Sequence, residues 1–420
     1  MVSARVGVAA PPSRRERLTN PPALARDPAS DLRRADCPAG ALHLKAGRAL
    51  FQPMRDNVEM QSWPDHRLLD VLKLEIPIIQ APMAGSDSVA LARNVSSTGA
   101  LGSLACALLS PDQVREAVRA LRQGMRRPFN LNFFCHTMEA LDSAATERWK
   151  SFLRPHYKRL ELDIESVAPT RLRLPFDDEM CAVMEEVRPE VVSFHFGLPK
   201  LELVERLKRQ GIKILSSATS VREAKWLESC GCDAIIAQGL EAGGHRGMFL
   251  ETNIATQLGL FALLPQVRDA VSVPVIAAGG IADARGIVAA LALGASGVQL
   301  GTAYLFCPEA NVSPLYRQAL AQAAEMGTAV TNLFSGRPAR GIFNRYLQEA
   351  GPMSDTAPAF PYAATLVAPL RAASEGAGSL DYMQLWSGQA AGLAKTMPAD
   401  QLTRMLAGDV LRKLDERSGD

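Results

Sequence analysis

In the stretch AIIAQGLEAGGHRGMF, residues 234 to 249, a histidine stands between a diglycine and an arginine, just after a run that reads as a buried strand. Histidine is the side chain whose ordinary pKa lies nearest neutrality, so His245 is a candidate to take, hold or release a proton. The other reading is a loop histidine that merely bonds the backbone. Two further stretches, AAGGIAD (277 to 283) and VQLGT (298 to 302), place Gly279, Gly280 and Gly301 behind apolar runs. Glycines there remove side chains, so that backbone N–H groups can approach a ligand, a phosphate above all. Tight turns would also use them.

Such residues need a frame, and from about residue 65 the chain supplies one. Eight short runs rich in β-branched or apolar residues recur: 76 to 83, 100 to 104, 129 to 134, 191 to 196, 213 to 218, 234 to 239, 274 to 280 and 297 to 302. Helical patterns lie between several of them, at 110 to 124, 198 to 211, 220 to 231 and 282 to 295, with Ser110 and Ser220 placed as N-caps. Strands that alternate with helices and are apolar on both faces are parallel and covered. Eight such units predict an α/β fold of the (β/α)8 TIM-barrel class, and a doubly wound sheet is disfavoured because no early GxGxxG is present. In such a barrel the active site lies at the carboxyl ends of the strands. His245 falls six residues past the sixth run, on that face.

The spacing is uneven in two places. About sixty residues separate runs three and four, which predicts an insertion at about 137 to 186 over the barrel top. More than a hundred residues follow Thr302 and carry helical patterns, expected to form a layer beside the barrel. The expected organisation is therefore an extension at 1 to 62, a barrel at 63 to 305, and a helical C-terminal region at 306 to 420 that contributes to the substrate site. The first sixty residues hold seven prolines and nine arginines with no sustained period, and read as disordered. Interleaved acids (Glu16, Asp27, Asp31, Asp36) argue against a transit peptide and favour an extension upstream of a start near Met60.

Composition narrows the partners. With 46 basic and 44 acidic residues and no long run of either sign, nucleic acid and anionic membranes are not expected, and a small molecule is. The uncharged run Ile287 to Pro308 is broken by Gly294, Gly297 and Gly301 and does not read as a membrane span. Seven scattered cysteines form no CxxC pair, which suggests reduced thiols in the cytoplasm. The pair Cys230 and Cys232 reads as buried filler, so no metal is expected.

The motifs PIIQAPMAG (77 to 85), NLNFF (130 to 134), VSFHFGLP (192 to 199), AQGLEAGGHRG (237 to 247), AAGGIAD and VQLGT occur in one order. Together with SGRPAR (335 to 340) and LWSGQAAGLAKTMPADQL (385 to 402), this chain resembles the FMN-dependent nitronate monooxygenases, formerly called 2-nitropropane dioxygenases. The resemblance implies FMN as cofactor, with Ala81, Pro82 and Met83 along the flavin ring and Asn132 hydrogen-bonded to it. Gln238, Gly243 and Gly244 would continue that site, and Gly279, Gly280, Gln299, Leu300, Gly301 and Thr302 would surround the phosphate. His245 matches the catalytic histidine.

The implied reaction takes an alkyl nitronate or nitroalkane and O2 to a carbonyl compound and nitrite, with propionate 3-nitronate the usual suggestion and detoxification the role. His245 would abstract the acidic proton of a nitroalkane, or orient the nitro oxygens of a substrate that is already an anion. The main rival is an FMN-dependent NAD(P)H:quinone or enoyl-thioester reductase on the same barrel; a non-catalytic flavin-binding module and a flavin-free barrel lyase or isomerase are the others. His195 reads as structural or substrate-lining, His136 as weakly placed, and Arg246 either as an attractor of the anionic nitronate or as a surface ion pair. A homodimer is left open.

Overall fold

A computed structural model describes residues 62–168 and 172–418. Apart from residue 62, the expected extension at 1 to 62, including the reading of it as disordered, lies outside the described residues. Six parallel strands come first: β1 (Ile78–Gln80), β2 (Gly102–Ala105), β3 (Phe129–Phe134), β4 (Val191–His195), β5 (Lys213–Ala218) and β6 (Ala234–Gln238). After a two-residue strand β7 (Gly244–His245) that leaves the sheet, β8 (Val275–Ala278) and β9 (Gly297–Leu300) complete it. The sheet order is β1-β9-β8-β6-β5-β4-β3-β2. A parallel bridge between Ile79 and Leu101 joins its two ends, with Gln80 N–H donating to Leu101 O (2.9 Å) and Leu101 N–H to Ile78 O (3.0 Å). The result is a closed (β/α)8 barrel in which all eight expected runs are barrel strands.

Local chemistry starts the surrounding helices where the sequence places them. Ser110 accepts from Gln113 N–H while the Gln113 side chain accepts from Ser110 N–H, a reciprocal cap with Pro111 at the first helical position of Pro111–Arg122. Ser220 accepts from Glu223 N–H at the start of Val221–Ser229. Each such cap is worth about 1 kcal/mol. Apolar faces then pack on the strands: Val114, Val118 and Leu121 from one helix and Leu203, Val204 and Leu207 from another join Phe129, Phe194 and Ile214 in a continuous core. At Gly102 a Cβ would lie 1.9 Å from Ala92 O, so helix Val89–Ser97 sits against β2 only because that position has no side chain.

Two features depart from the local reading. The helix Ala399–Ser418 buries Ala399, Leu402, Leu406 and Val410 in the barrel core. It is the eighth barrel helix, supplied from the far end of the chain, with the Tyr304 hydroxyl 2.8 Å from that of Thr403. The tail also contains two antiparallel strands, β10 (Thr328–Thr331) and β11 (Ala339–Ile342), where only helices were expected. β11 pairs on its other edge with β7, Ala339 opposite His245 and Arg340 opposite Gly244. The reason is tertiary: a two-residue strand has no period of its own and exists only because β11 satisfies its backbone.

The insertion behaves as two parts. Helix Asp178–Val187 places Cys181, Val183 and Met184 in the barrel core, whereas Ser143–Arg159 packs away from it. Trp149, Leu153 and Tyr157 of the latter meet Tyr346, Leu366, Leu370 and Tyr382 of the tail in a second cluster, and the Tyr157 hydroxyl donates to Leu366 O (2.6 Å). No helix among the described residues is long and apolar enough to cross a membrane.

Candidate active site

The carboxyl ends of the strands open into a cavity of about 460 Å³. Ala81, Pro82 and Met83 line it after β1, Asn132 on β3, Gln238 at the end of β6, and Gly243, Gly244 and His245 just beyond. Gly279 and Gly280 after β8, with Gln299, Gly301 and Thr302 around the end of β9, complete the wall. Leu300 alone among the expected positions does not line it. Its side chain is 1% exposed, pointing into the barrel core, and only its main chain serves the site, accepting from Ala81 N–H (2.8 Å).

His245 is gripped from behind. Its carbonyl oxygen accepts from Gln238 Nε2 (3.0 Å) and from His195 Nε2 (3.1 Å). A carbonyl cannot donate, so His195 carries its proton on Nε2, and its Nδ1 accepts from the Ser217 hydroxyl (3.1 Å). Burial, outweighing the hydrogen bond to His245 O, lowers the His195 pKa to about 4 and keeps it neutral. His195 is thus a positioning residue for the histidine beside it. Gln238 has the same duty: its Oε1 accepts from Gly247 N–H (2.7 Å), so both ends of the amide are bound to the loop that carries His245.

The His245 ring faces Phe134, Phe360 and Trp386 edge-on, with centroids 6.1, 5.5 and 5.5 Å away. Its Nε2 lies 2.9 Å from Ser335 Oγ. With the Ser335 proton directed at Arg337 O (3.3 Å), the hydroxyl accepts from His245 Nε2–H, and the imidazole lone pair is on Nδ1. Among the described residues Nδ1 has no protein partner. Burial pushes the His245 pKa well below its ordinary value, and the positive charges of Arg173 and Arg337 push it further. The ring is therefore neutral at pH 7, in a positive field.

The remaining candidates separate cleanly. Arg246 is 1% exposed and does not reach the cavity; its guanidinium donates to Gln238 O (2.8 Å), Gly239 O (2.7 Å) and Gln257 Oε1 (3.0 Å), which makes it a clamp on the β6 loop. Neither the ion pair nor the attractor reading holds. His136 is buried against Phe360, with centroids 4.7 Å apart, and burial lowers its pKa to about 4. No group of three or more His, Cys, Asp or Glu among the described residues is arranged to hold a metal.

Several wall residues escaped the sequence reading: Phe134, Arg173, Arg371 and Trp386 line the cavity, and Ser335 bonds the catalytic candidate. Ser335 and Trp386 lie within the SGRPAR and LWSGQ stretches, which were the available signal. Asp87 is a further one. Its Oδ2 accepts from Met83 N–H (2.8 Å) and Ala105 N–H (2.9 Å), tying the β1 loop to the end of β2, and burial raises its pKa to about 7.

The wall suits a flat phosphorylated group. Gln299 Oε1 is buried with no hydrogen-bond partner among the described residues. Asn132 Nδ2 is held by Ser193 O (3.2 Å) and Ser193 Oγ (2.9 Å), which leaves its Oδ1 for a ligand donor. A Cβ at Gly301 would meet only Ala81 Cβ at 3.6 Å and Met83 Sδ at 4.0 Å, so that face is open to the cavity. At Gly244 a Cβ would meet nothing within 4 Å.

Comparison with known proteins agrees with this geometry. The family model described as nitronate monooxygenase matches residues 65–409. A nitronate monooxygenase from Paraburkholderia phytofirmans is 41% identical over 355 residues, covering 83% of this chain and 96% of the relative. Among solved structures, nitroalkane oxidase from Streptomyces ansochromogenes superposes with a TM-score of 0.76 at 38% identity, over 83% of this chain and 99% of that one. FabK from Thermotoga maritima gives 0.63 at 28% identity, over 84% and 98%. A barrel that presents a neutral histidine over a glycine-edged cavity, matched along nearly all its described length, places this chain in the nitronate monooxygenase family.

Proposed function

We propose that the chain binds FMN and oxidises alkyl nitronates with O2 to a carbonyl compound and nitrite, propionate 3-nitronate being the substrate. Barrel residues 63 to 305 would hold the cofactor, and the insertion (137 to 186) with 306 to 420 would close the cavity over it. Ala81, Pro82 and Met83 would lie along the flavin, with Asn132 Oδ1 and Gln299 Oε1 as acceptors for its donors. Backbone N–H groups around Gly279, Gly280, Gly301 and Thr302 would meet the phosphate. FMN, when bound, supplies the electron acceptor for the nitronate and the route to oxygen.

His245 carries the reading. Its ring lines the cavity in the positive field of Arg173 and Arg337, which attracts an anionic nitronate, and an Nδ1 lone pair there can accept a proton but cannot donate to the nitro oxygens. Proton abstraction from a neutral nitroalkane is the harder task. A base is most effective when its pKa is near the working pH, and burial together with Arg173 holds this one well below it. Nitronates are therefore the better substrates, and nitroalkanes the slower ones. Phe134, Phe360 and Trp386 exclude water around the ring. The partners are a small anionic molecule and O2, without nucleic acid or membrane, in the cytoplasm.

The test is oxygen uptake by the FMN-loaded protein on adding propionate 3-nitronate without a nicotinamide. Uptake with stoichiometric nitrite supports the reading. Absence of uptake, together with rapid bleaching of the flavin by NADH or NADPH, would replace it with the reductase that the likeness to FabK suggests.

A further inference from the structure

We infer that Arg173 and Arg371 form an anion subsite that receives a carboxylate carried by the substrate, so that the cavity selects nitronates bearing a second anionic group. This rests on the nitronate reading above and assigns the part of the wall that His245 does not use. Both side chains line the same cavity as His245 and Trp386. They arrive from different elements: Arg173 from the segment before helix Asp178–Val187, and Arg371 from within helix Ala363–Gly376 of the tail.

The other buried arginines of this end of the barrel are engaged by the protein itself. Arg246 donates to two carbonyls and Gln257. Arg337 donates to Met248 O (3.0 Å) and lies 4.1 Å over the Phe196 ring, and Arg340 donates to Leu240 O (2.9 Å). The guanidinium groups of Arg173 and Arg371, by contrast, make no ion pair or hydrogen bond among the described residues. The one acid in the wall, Glu375, is exposed one turn along from Arg371 and forms no ion pair with it. It offsets only part of the charge.

Two half-buried guanidinium groups sharing one cavity repel each other, and burial adds to the cost of keeping both charged. An anion between them removes both penalties. A guanidinium presents its donors in a planar fork that matches a carboxylate, and charge-assisted pairs of this kind are the strong ones. The nitro end of the substrate would be at His245 and its carboxylate at the two arginines. The glycine-edged ends of β8 and β9 supply a separate place for a phosphate, which leaves these arginines for the substrate.

The experiment compares propionate 3-nitronate with propyl-1-nitronate, which has no carboxylate. For Arg173→Gln and Arg371→Gln, kcat/KM on the carboxylated nitronate should fall about 10- to 100-fold, mainly through KM, as expected for loss of a hydrogen bond to a charged group. In Arg371→Gln activity on propyl-1-nitronate should change by less than about threefold and FMN content should stay the same, whereas in Arg173→Gln, which also weakens the positive field at His245, it should fall but by less than activity on the carboxylated nitronate. A second measurement needs no variant: 3-nitropropionate should inhibit propyl-1-nitronate oxidation by the unaltered protein at least about tenfold more strongly than 1-nitropropane does. Equal losses on both nitronates, equal inhibition by the two nitro compounds, or loss of FMN from the variants would overturn the subsite, the last by assigning the arginines to the cofactor phosphate. Failure of the unaltered protein to oxidise either nitronate would instead remove the function on which the subsite depends.

Discussion

Replacing Gly301 by alanine separates the folding role of this residue from its role toward a ligand. The glycine has φ −104° and ψ −77°, a conformation open to any L residue, so the backbone does not require it. An added Cβ would lie 3.6 Å from Ala81 Cβ and 4.0 Å from Met83 Sδ, ordinary contact distances. The protein should therefore tolerate the change, with stability within about 0.5 kcal/mol or raised by up to about 1 kcal/mol through the smaller entropy of the unfolded chain. In the proposed FMN site the new methyl would stand where the phosphate meets the backbone. Losing one hydrogen bond to a charged group costs about 1.5 to 3 kcal/mol, or roughly a 10- to 100-fold rise in Kd. Flavin fluorescence titration measures the Kd, and urea unfolding of the flavin-free protein measures the stability. Gly243→Ala is the contrasting control: its Cβ would be 2.5 Å from Gly388 N, so it should destabilise the fold with or without flavin, by about 1 to 3 kcal/mol. An unchanged FMN Kd in Gly301→Ala would refute the placement of the cofactor against the end of β9. A large loss of stability would show that Gly301 is there for the fold.

Four further outcomes are expected. His245→Asn should lower activity on neutral nitroalkanes at least about 100-fold with FMN content unchanged, and activity on preformed nitronates by less, as steady-state oxygen uptake would show. Because the His245 pKa lies well below 6.5, its neutral form persists as pH falls, and kcat/KM for freshly diluted nitronate should show no acid limb from this group between about pH 8 and 6.5; a limb near 6.5 that disappears in His245→Asn would contradict this. Arg246→Met should cost about 3 kcal/mol or more in urea unfolding, since it leaves Gln238 O, Gly239 O and Gln257 Oε1 without their buried donor. Asp87, raised to about 7 from its ordinary 3.8, binds a proton more readily when folded, so it adds stability as pH falls through 7 and loses that contribution as pH rises. From pH 8 to 5 this amounts to about 3 kcal/mol, at 1.36 kcal/mol per unit over the two units below 7. His195, neutral in the fold down to about 4, acts the opposite way and loses stability below 6.5. Asp87→Asn should therefore become more acid-sensitive than the parent over that range, and parallel stability curves would sink the assignment.

Much of the fold was legible because its signals are local. A barrel strand covered on both faces is largely apolar, and the eight runs, from Ile78–Gln80 to Gly297–Leu300, stand out in the sequence as short stretches rich in β-branched and apolar residues despite polar members such as Asn130, Asn132 and Gln299. The caps at Ser110 and Ser220 depend on residues three apart. The glycines at 279, 280 and 301 were readable for the same reason, since they follow strand ends in the chain as they do in space.

What stayed hidden depends on groups brought together from afar. Ser335 reaches His245 across 90 residues and His195 reaches it across 50, and neither separation leaves a period in the sequence. The Gly244–His245 strand owes its existence to Ala339–Ile342, which read only as part of a helical tail. The last helix reads as amphipathic, but that it serves as the eighth helix of the barrel follows from packing against Ala284–Ala292 and against Val89–Ser97, the latter most of the described chain away. Arg246 and Arg371 are the same residue type in sequence, and only burial shows that one clamps a backbone loop while the other faces the cavity. The sequence by itself thus determined the barrel, the face that carries the site and the histidine on it, because these follow from residue type and near-neighbour spacing. Tertiary structure decided the tautomer of that histidine, the charge around it and the arginines that face the same cavity, because burial and contact between distant segments set hydrogen bonds and pKa values.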